Sequence, residues 1–134
     1  MHTADWCCRI EVARDQAIQA LEAGDLEQAT SLINEGFAIV DREGDESDPT
    51  FARFLCAAGA VAMYVGEIDA GAALYRRAHD IARPLGSLAT VTLFAALRGL
   101  ALADGLRGWS GRAVERFSEA RALLDDLDLP DADE

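Results

Sequence analysis

Residues 55–84 read LCAAGAVAMYVGEIDAGAALYRRAHDIARP, two apolar runs hinged at Gly66-Glu67. Gly66 has counterparts at Gly24 and Gly108, each 42 residues away. The same offset relates Ala29, Gly71 and Ala113, and Gly36, Ala78 and Ala120. It also relates Ile33, Tyr75 and Phe117, and Ile39, Ile81 and Leu123. Small residues recur where small residues stand, and large apolar residues where large ones stand. A fixed period of about 20–50 residues marks an architecture built by stacking like units. Such a stack offers a surface for holding a partner more readily than an enclosed pocket for chemistry.

Working outward, the apolar periodicity predicts helices in pairs. The first pair covers about 4–23 and 26–42, broken at Gly24-Asp25, with Asp25 and Gln28 forming a capping-box pattern. The polar run 43–48 is a loop, and Asp48-Pro49 starts the second pair, with Pro in the tolerated first turn. That pair covers about 49–65, apolar round most of its circumference and so expected between neighbours, and about 68–83. The third pair is expected from a Ser87 cap to about Asp104, then from a Ser110 cap to about Leu127, with the turn at 105–108. No strand pattern is present, and turns of two to four residues inside each pair force antiparallel hairpins.

The order within each unit is a small residue in the first helix, Gly at the turn, small in the early second helix, then large, then small. This resembles the tetratricopeptide repeat. In the second copy the match runs through Leu55, Gly59, Gly66, Ile68, Gly71, Tyr75, Ala78 and, one residue late, Pro84. In the first it runs through Ala13, Ala17, Gly24, Leu26, Ala29, Ile33 and Gly36, and in the third through Leu97, Ala101, Gly108, Ala113, Phe117 and Ala120. The period of 42 is longer than that family's usual 34, and is similar to its longer-unit arrays. The third unit departs most: Asp104 stands where Ala20 and Ala62 stand, Arg116 where Leu32 and Leu74 stand, and Trp109 is new. The expected fold is a single all-α domain over 1–134, a tetratricopeptide-like α-solenoid of three helix-turn-helix repeats (about 7–48, 49–90 and 91–127) with an acidic tail at 128–134. Terminal units of such stacks are often atypical. The final helix, with Phe117, Leu123 and Leu124, has no capping helix after it and is expected to be covered by a homodimer mate or another protein.

Composition narrows the function. The net charge is −12 and all twelve basic residues are Arg, which excludes a cationic grip on nucleic acid or on an anionic membrane. No apolar run is read as reaching the ~18 residues needed to span a bilayer, and no secretory signal opens the chain. Cys7, Cys8 and Cys56 do not form a disulfide framework or a spaced zinc pair, so a cytoplasmic setting is expected.

The resemblance implies that the first helix of each pair lines a concave face. By register, this face includes Arg14, Ile18 and Leu21, then Arg53, Met63 and Tyr64, then Arg98 and Leu102. Guanidinium groups suit carboxylates, so Arg14, Arg53 and Arg98 are expected to grip an acidic or C-terminal carboxylate of an extended peptide. Alternatively, each pairs with a carboxylate of its own chain such as Glu11, Asp15 or Glu22. The apolar positions form a floor suited to an amphipathic helix or a second copy. The family's chaperone-binding clamp also needs Lys, which this chain lacks.

His79 reads as a surface histidine, Trp6 and Trp109 as anchors of the two ends, and Gly105 to Gly108 as no phosphate loop. No nucleophile–base pairing, metal-ligand spacing or cofactor motif is present. The expectation is therefore a non-catalytic protein- or peptide-binding module without cofactor. The alternative is a ligand-sensing or regulatory module associated with a bacterial transcriptional regulator or a biosynthetic enzyme.

Overall fold

A computed structural model describes residues 3–126, and the side chains from residue 5. The helices are α1 (Thr3–Glu22), α2 (Leu26–Glu43), α3 (Pro49–Tyr64), α4 (Ile68–Ala82), α5 (Thr90–Leu106) and α6 (Ser110–Asp126). A 3-10 segment, Arg83–Ala89, joins α4 to α5. The protein is all-helical, with no strand among the described residues. The expectation of an acidic tail at 128–134 lies outside the described residues.

The three turns predicted from the glycine spacing share one hydrogen-bond pattern. Gly24 N–H donates to the Leu21 carbonyl (3.0 Å) and Asp25 N–H to that of Ala20 (2.8 Å). Gly66 and Glu67 donate to Met63 (3.1 Å) and Ala62 (2.9 Å), and Gly108 and Trp109 to Gly105 (3.1 Å) and Asp104 (2.8 Å). This is a Schellman closure, which needs a residue with positive φ just past the helix. The three glycines supply it, at φ 81, 89 and 82°.

Each short turn folds a helix back on its predecessor. Accordingly α1 packs on α2, α3 on α4, and α5 on α6. Between pairs, α4 packs on α5, and α3 touches α1, α2, α4 and α5. The central position of α3 follows from its sequence. Phe51, Ala52, Phe54, Leu55, Ala57, Ala58, Gly59 and Val61 are all buried, giving it apolar contact on several sides.

Close approach between pairs depends on missing side chains. A Cβ at Gly36 of α2 would lie 2.3 Å from the Phe54 ring of α3. A Cβ at Gly99 of α5 would lie 2.4 Å from the Tyr75 ring, and one at Gly59 of α3 would lie 2.9 Å from it. The Tyr75 ring therefore leaves α4 and passes between α3 and α5. Beside it, Met63 closes over Gly71, where an added Cβ would meet Met63 Cγ at 2.9 Å.

Several local expectations are corrected. Ser87 does not cap α5. The helix starts at Thr90 after Ala89, which makes no side-chain cap, and Thr90 Oγ1 instead donates to the Ser87 carbonyl at 3.2 Å. The connection is wound into 3-10 turns by Pro84 and released at Gly86 (φ 61, ψ −136°). Ser110 is the first residue of α6 rather than its cap, and Gly105 lies inside α5, so the last turn is tighter than 105–108. Asp25 accepts from Gln28 N–H at 3.0 Å as expected, but its own N–H is already committed to Ala20, so the capping box is half-formed.

The expectation that no run is apolar enough for a membrane is also corrected. The helical stretch Ile68–Leu106 contains an 18-residue window of mean hydropathy 1.6, enough by length and composition to cross a bilayer. Its two arms, α4 and α5, pack against one another. In this structure the stretch is folded back on itself, with part of its apolar content buried between helices and part exposed, including Leu88 and Val91.

Candidate functional site

The three helices that begin the pairs, α1, α3 and α5, share one cleft of about 220 Å³. Arg14 and Ile18 come from α1, Arg53, Cys56, Ala57 and Ala60 from α3, and Ala95, Arg98, Gly99 and Leu102 from α5. Tyr75 reaches it from α4, behind the other three. The small residues Ala57, Ala60, Ala95 and Gly99 make the space, because bulkier side chains would close it.

The arginines are not equivalent. Arg53 is paired with Glu11, and Arg14 Nη1 with Asp15 Oδ1 at 3.0 Å. These are the internal carboxylates anticipated as alternatives to a ligand. Arg98 is exposed at the rim and has no carboxylate partner among the described residues.

Two protic side chains also line the cleft, the partly buried Cys56 and the buried Tyr75. Burial pushes the Cys56 thiol up to about 12, with Arg14 acting in the opposite direction. Its Sγ lies 3.9 Å from the Thr92 carbonyl. A thiol held this firmly protonated is a poor nucleophile. Burial likewise pushes the Tyr75 phenol up to about 12, while Arg98 pulls it down. Both groups therefore act as neutral hydrogen-bonding groups at neutral pH.

Of the residues assigned to a concave face by register, Arg14, Ile18, Arg53, Arg98 and Leu102 come together in this cleft. Leu21 packs instead against the hydrophobic core, and Met63 against the cluster around Tyr75. Tyr64 stands 68 % exposed at the end of α3. These three lie about one turn along their helices from the nearest cleft residue, Ile18 or Ala60. Sequence reasoning placed Tyr75 only in the apolar ladder and missed it as a cleft residue. The available signal is the pair Gly59 and Gly99, whose lack of side chains on the flanking helices opens a path for one large ring.

Elsewhere the two anomalous residues of the third unit meet. Asp104 is 1 % exposed. Its Oδ2 lies 3.3 Å from Arg116 Nε, and its Oδ1 3.8 Å from Arg107 Nη1. Arg107 also holds Asp69 at 2.6 Å, bridging α5 to the start of α4. Trp109 lies between Arg107 and Arg112, whose guanidinium carbons are 4.7 and 5.0 Å from its ring centroid. Trp6 is buried at the opposite end and anchors α1 as expected, whereas Trp109 remains half-exposed. His79 contacts Asp80 at 3.2 Å on the outer side of α4. No cluster of three or more His, Cys, Asp or Glu residues able to hold a metal is found among the described residues.

Comparison with protein-family models, with curated proteins and with solved structures gives no match.

Proposed function

We propose that the chain is a three-unit stack of helical hairpins of tetratricopeptide type, and that the cleft between α1, α3 and α5 binds a segment of a protein or peptide. The observation that carries this reading is one cleft lined by α1, α3 and α5, where Arg14 and Arg53 are paired with Asp15 and Glu11 and Arg98 is left without a carboxylate partner among the described residues, in a chain of net charge −12. The apolar floor beneath them suits side chains of an extended or helical segment. The role is non-catalytic. The Cys56 thiol stays protonated, and His79 has only its neighbouring Asp80 for company. Three free thiols suit a reducing, cytoplasmic setting.

The test is selection of binders from a displayed peptide library by the folded protein and by the Arg14→Ala/Arg53→Ala/Arg98→Ala variant. The expected result is a set of acidic or free-terminus peptides held by the wild type and lost by the variant. Peptides retained equally by both would contradict the reading.

A second copy is the proposed cover for α6. Only Ala113 and Ala120 of that helix are buried, while Val114, Phe117 and Leu124 are 63, 43 and 43 % exposed. Sedimentation at micromolar concentration is expected to show a dimer, weakened by Phe117→Glu. A second reading, a ligand-responsive module of a regulator or biosynthetic enzyme, is favoured by the Tyr75 side chain lining the cleft beside Arg98.

A further inference from the structure

The Tyr75 side chain is the least expected feature of the cleft. The residue is 8 % exposed, yet its oxygen is not among the fully buried side-chain polar atoms that lack a partner, so it keeps contact with solvent in the cleft. No protein group among the described residues bonds to that oxygen. Its ring carbon Cζ would lie 3.0 Å from a Cβ at Gly59 and 2.4 Å from one at Gly99. The ring is therefore gripped along both edges from Cδ to Cζ, and the side chain lines the cleft. Two glycines and an aromatic thus place one hydroxyl, open to solvent and without a protein partner among the described residues, in the wall of the cleft.

The charge at the same place is specific in amount. Glu11 and Asp15 already compensate Arg53 and Arg14. Arg98 alone brings uncompensated positive charge, so the cleft has one spare positive charge and one spare hydroxyl. The remaining walls are Ile18, Ala57, Ala60, Ala95 and Leu102. A guanidinium beside a hydroxyl donor matches a carboxylate. One spare charge matches a monoanion rather than a dicarboxylate or a phosphate. Short apolar walls match a compact hydrocarbon body, and about 220 Å³ falls below the ~300–1,000 Å³ typical of sites for drug-sized ligands.

We infer that the cleft floor is a binding site for a small aliphatic monocarboxylic acid, its carboxylate held by Arg98 and the Tyr75 hydroxyl and its hydrocarbon body lying against Ile18, the alanines and Leu102. The inference rests on the reading of this cleft as a binding surface. It makes that surface ligand-responsive, because a bound acid removes the free cation that a peptide carboxylate would use.

The test is calorimetric titration of the full chain with the sodium salts of propionate, isobutyrate, isovalerate and hexanoate, at constant ionic strength set with sodium chloride. The primary amides of the same acids serve as controls. At least one acid is expected to bind saturably, its amide at least ten-fold more weakly. Tyr75→Phe, which keeps the ring between the two glycines, and Arg98→Gln, at an exposed rim position, are each expected to weaken binding at least ten-fold with unchanged far-ultraviolet circular dichroism. Absence of saturable binding by every acid would overturn the inference. So would equal binding of acid and amide, or unchanged affinity in both variants. A short peptide with a free terminus serves as a further arm, compared with its amidated form. Binding of the free-terminus peptide alone, with no free acid bound, would overturn the small-acid site while leaving the cleft as a peptide surface. Loss of arginine-dependent peptide selection would instead strike the broader reading.

Discussion

Tyr75 on α4 and Phe117 on α6 stand at the same register, 42 residues apart, yet they are 8 % and 43 % exposed. Tyr75 is covered because α5 follows and presents Gly99 to its ring. Phe117 has no later helix beside it among the described residues. The same contrast runs through the pairs' interiors. Where α3 and α4 place Ala62 and Leu74, α5 and α6 place Asp104 and Arg116. The middle pair is closed by close-packed small and aromatic residues, whereas the last is closed by a buried ion pair with Arg107 and Trp109 around it. Equivalent sequence positions thus take their energetics from what lies next to them.

The largest effect expected from breaking this contrast is at Asp104. Changing Asp104→Ala strands Arg116, whose guanidinium is largely buried; loss of one partner of such a pair costs about 3–5 kcal/mol. Urea unfolding should show this loss, with Arg107 still held by Asp69. Changing Asp104→Ala and Arg116→Leu together restores the residues of the middle pair. It should return stability to within about 1 kcal/mol of the parent or above it, since a packed apolar pair commonly matches a buried ionic one. A double variant as weak as the single one would show that the two residues do not act as a pair.

The next effect belongs to the middle pair. Gly99→Ala drives a methyl into the Tyr75 ring and should cost about 1–3 kcal/mol by overpacking. Gly71→Leu should cost at least as much, because Met63 and the Gly59 carbonyl already occupy that space. Phe117, lacking such a glycine partner, should tolerate Phe117→Leu with a smaller loss. A neutral Gly99→Ala would mean that the helices are not in the described register.

A smaller change tests what the pairs share. Gly24, Gly66 and Gly108 have positive φ and nothing within 4 Å of a built Cβ. Alanine there meets only backbone strain, about 1–2 kcal/mol at each turn. Near-equal values at all three would show that the turns are one structure, while the packing around them differs. The smallest effect is expected at exposed ion pairs. Arg9→Ala, losing Glu43, should leave the urea midpoint nearly unchanged.

Much of the architecture was legible because it rests on backbone chemistry. A Gly that must take positive φ is visible as a repeated Gly, and a helix with neighbours on several sides is visible as a helix with little polar surface. The start of α5 was not legible. Ser87 has the chemistry of a cap, but Pro84 and Gly86 wind the chain through 3-10 turns, so the helix begins three residues later, at Thr90. The cleft was legible in part. Helical register carries Arg14, Arg53 and Arg98 to one side, because each lies on the first helix of a pair. The Glu11–Arg53 pair was legible too, because the two are 42 residues apart and so hold the same position in neighbouring units; register cannot show that Arg98 has no such partner. Nor can it show that Tyr75 crosses between two helices, because that depends on the joint placement of Gly59 and Gly99 in space. Asp104 and Arg116 read separately as defects, and only their proximity shows each to be the other's compensation.

The fold, the register of the three pairs and the floor of the cleft all meet at the Tyr75 ring. Nuclear Overhauser contacts from its ring protons to the α-protons of glycines therefore give the most direct test. The account predicts contacts to Gly59 and Gly99 together, from opposite edges of the ring. Contacts to neither glycine, or to Gly59 alone with the ring turned toward solvent, would contradict it.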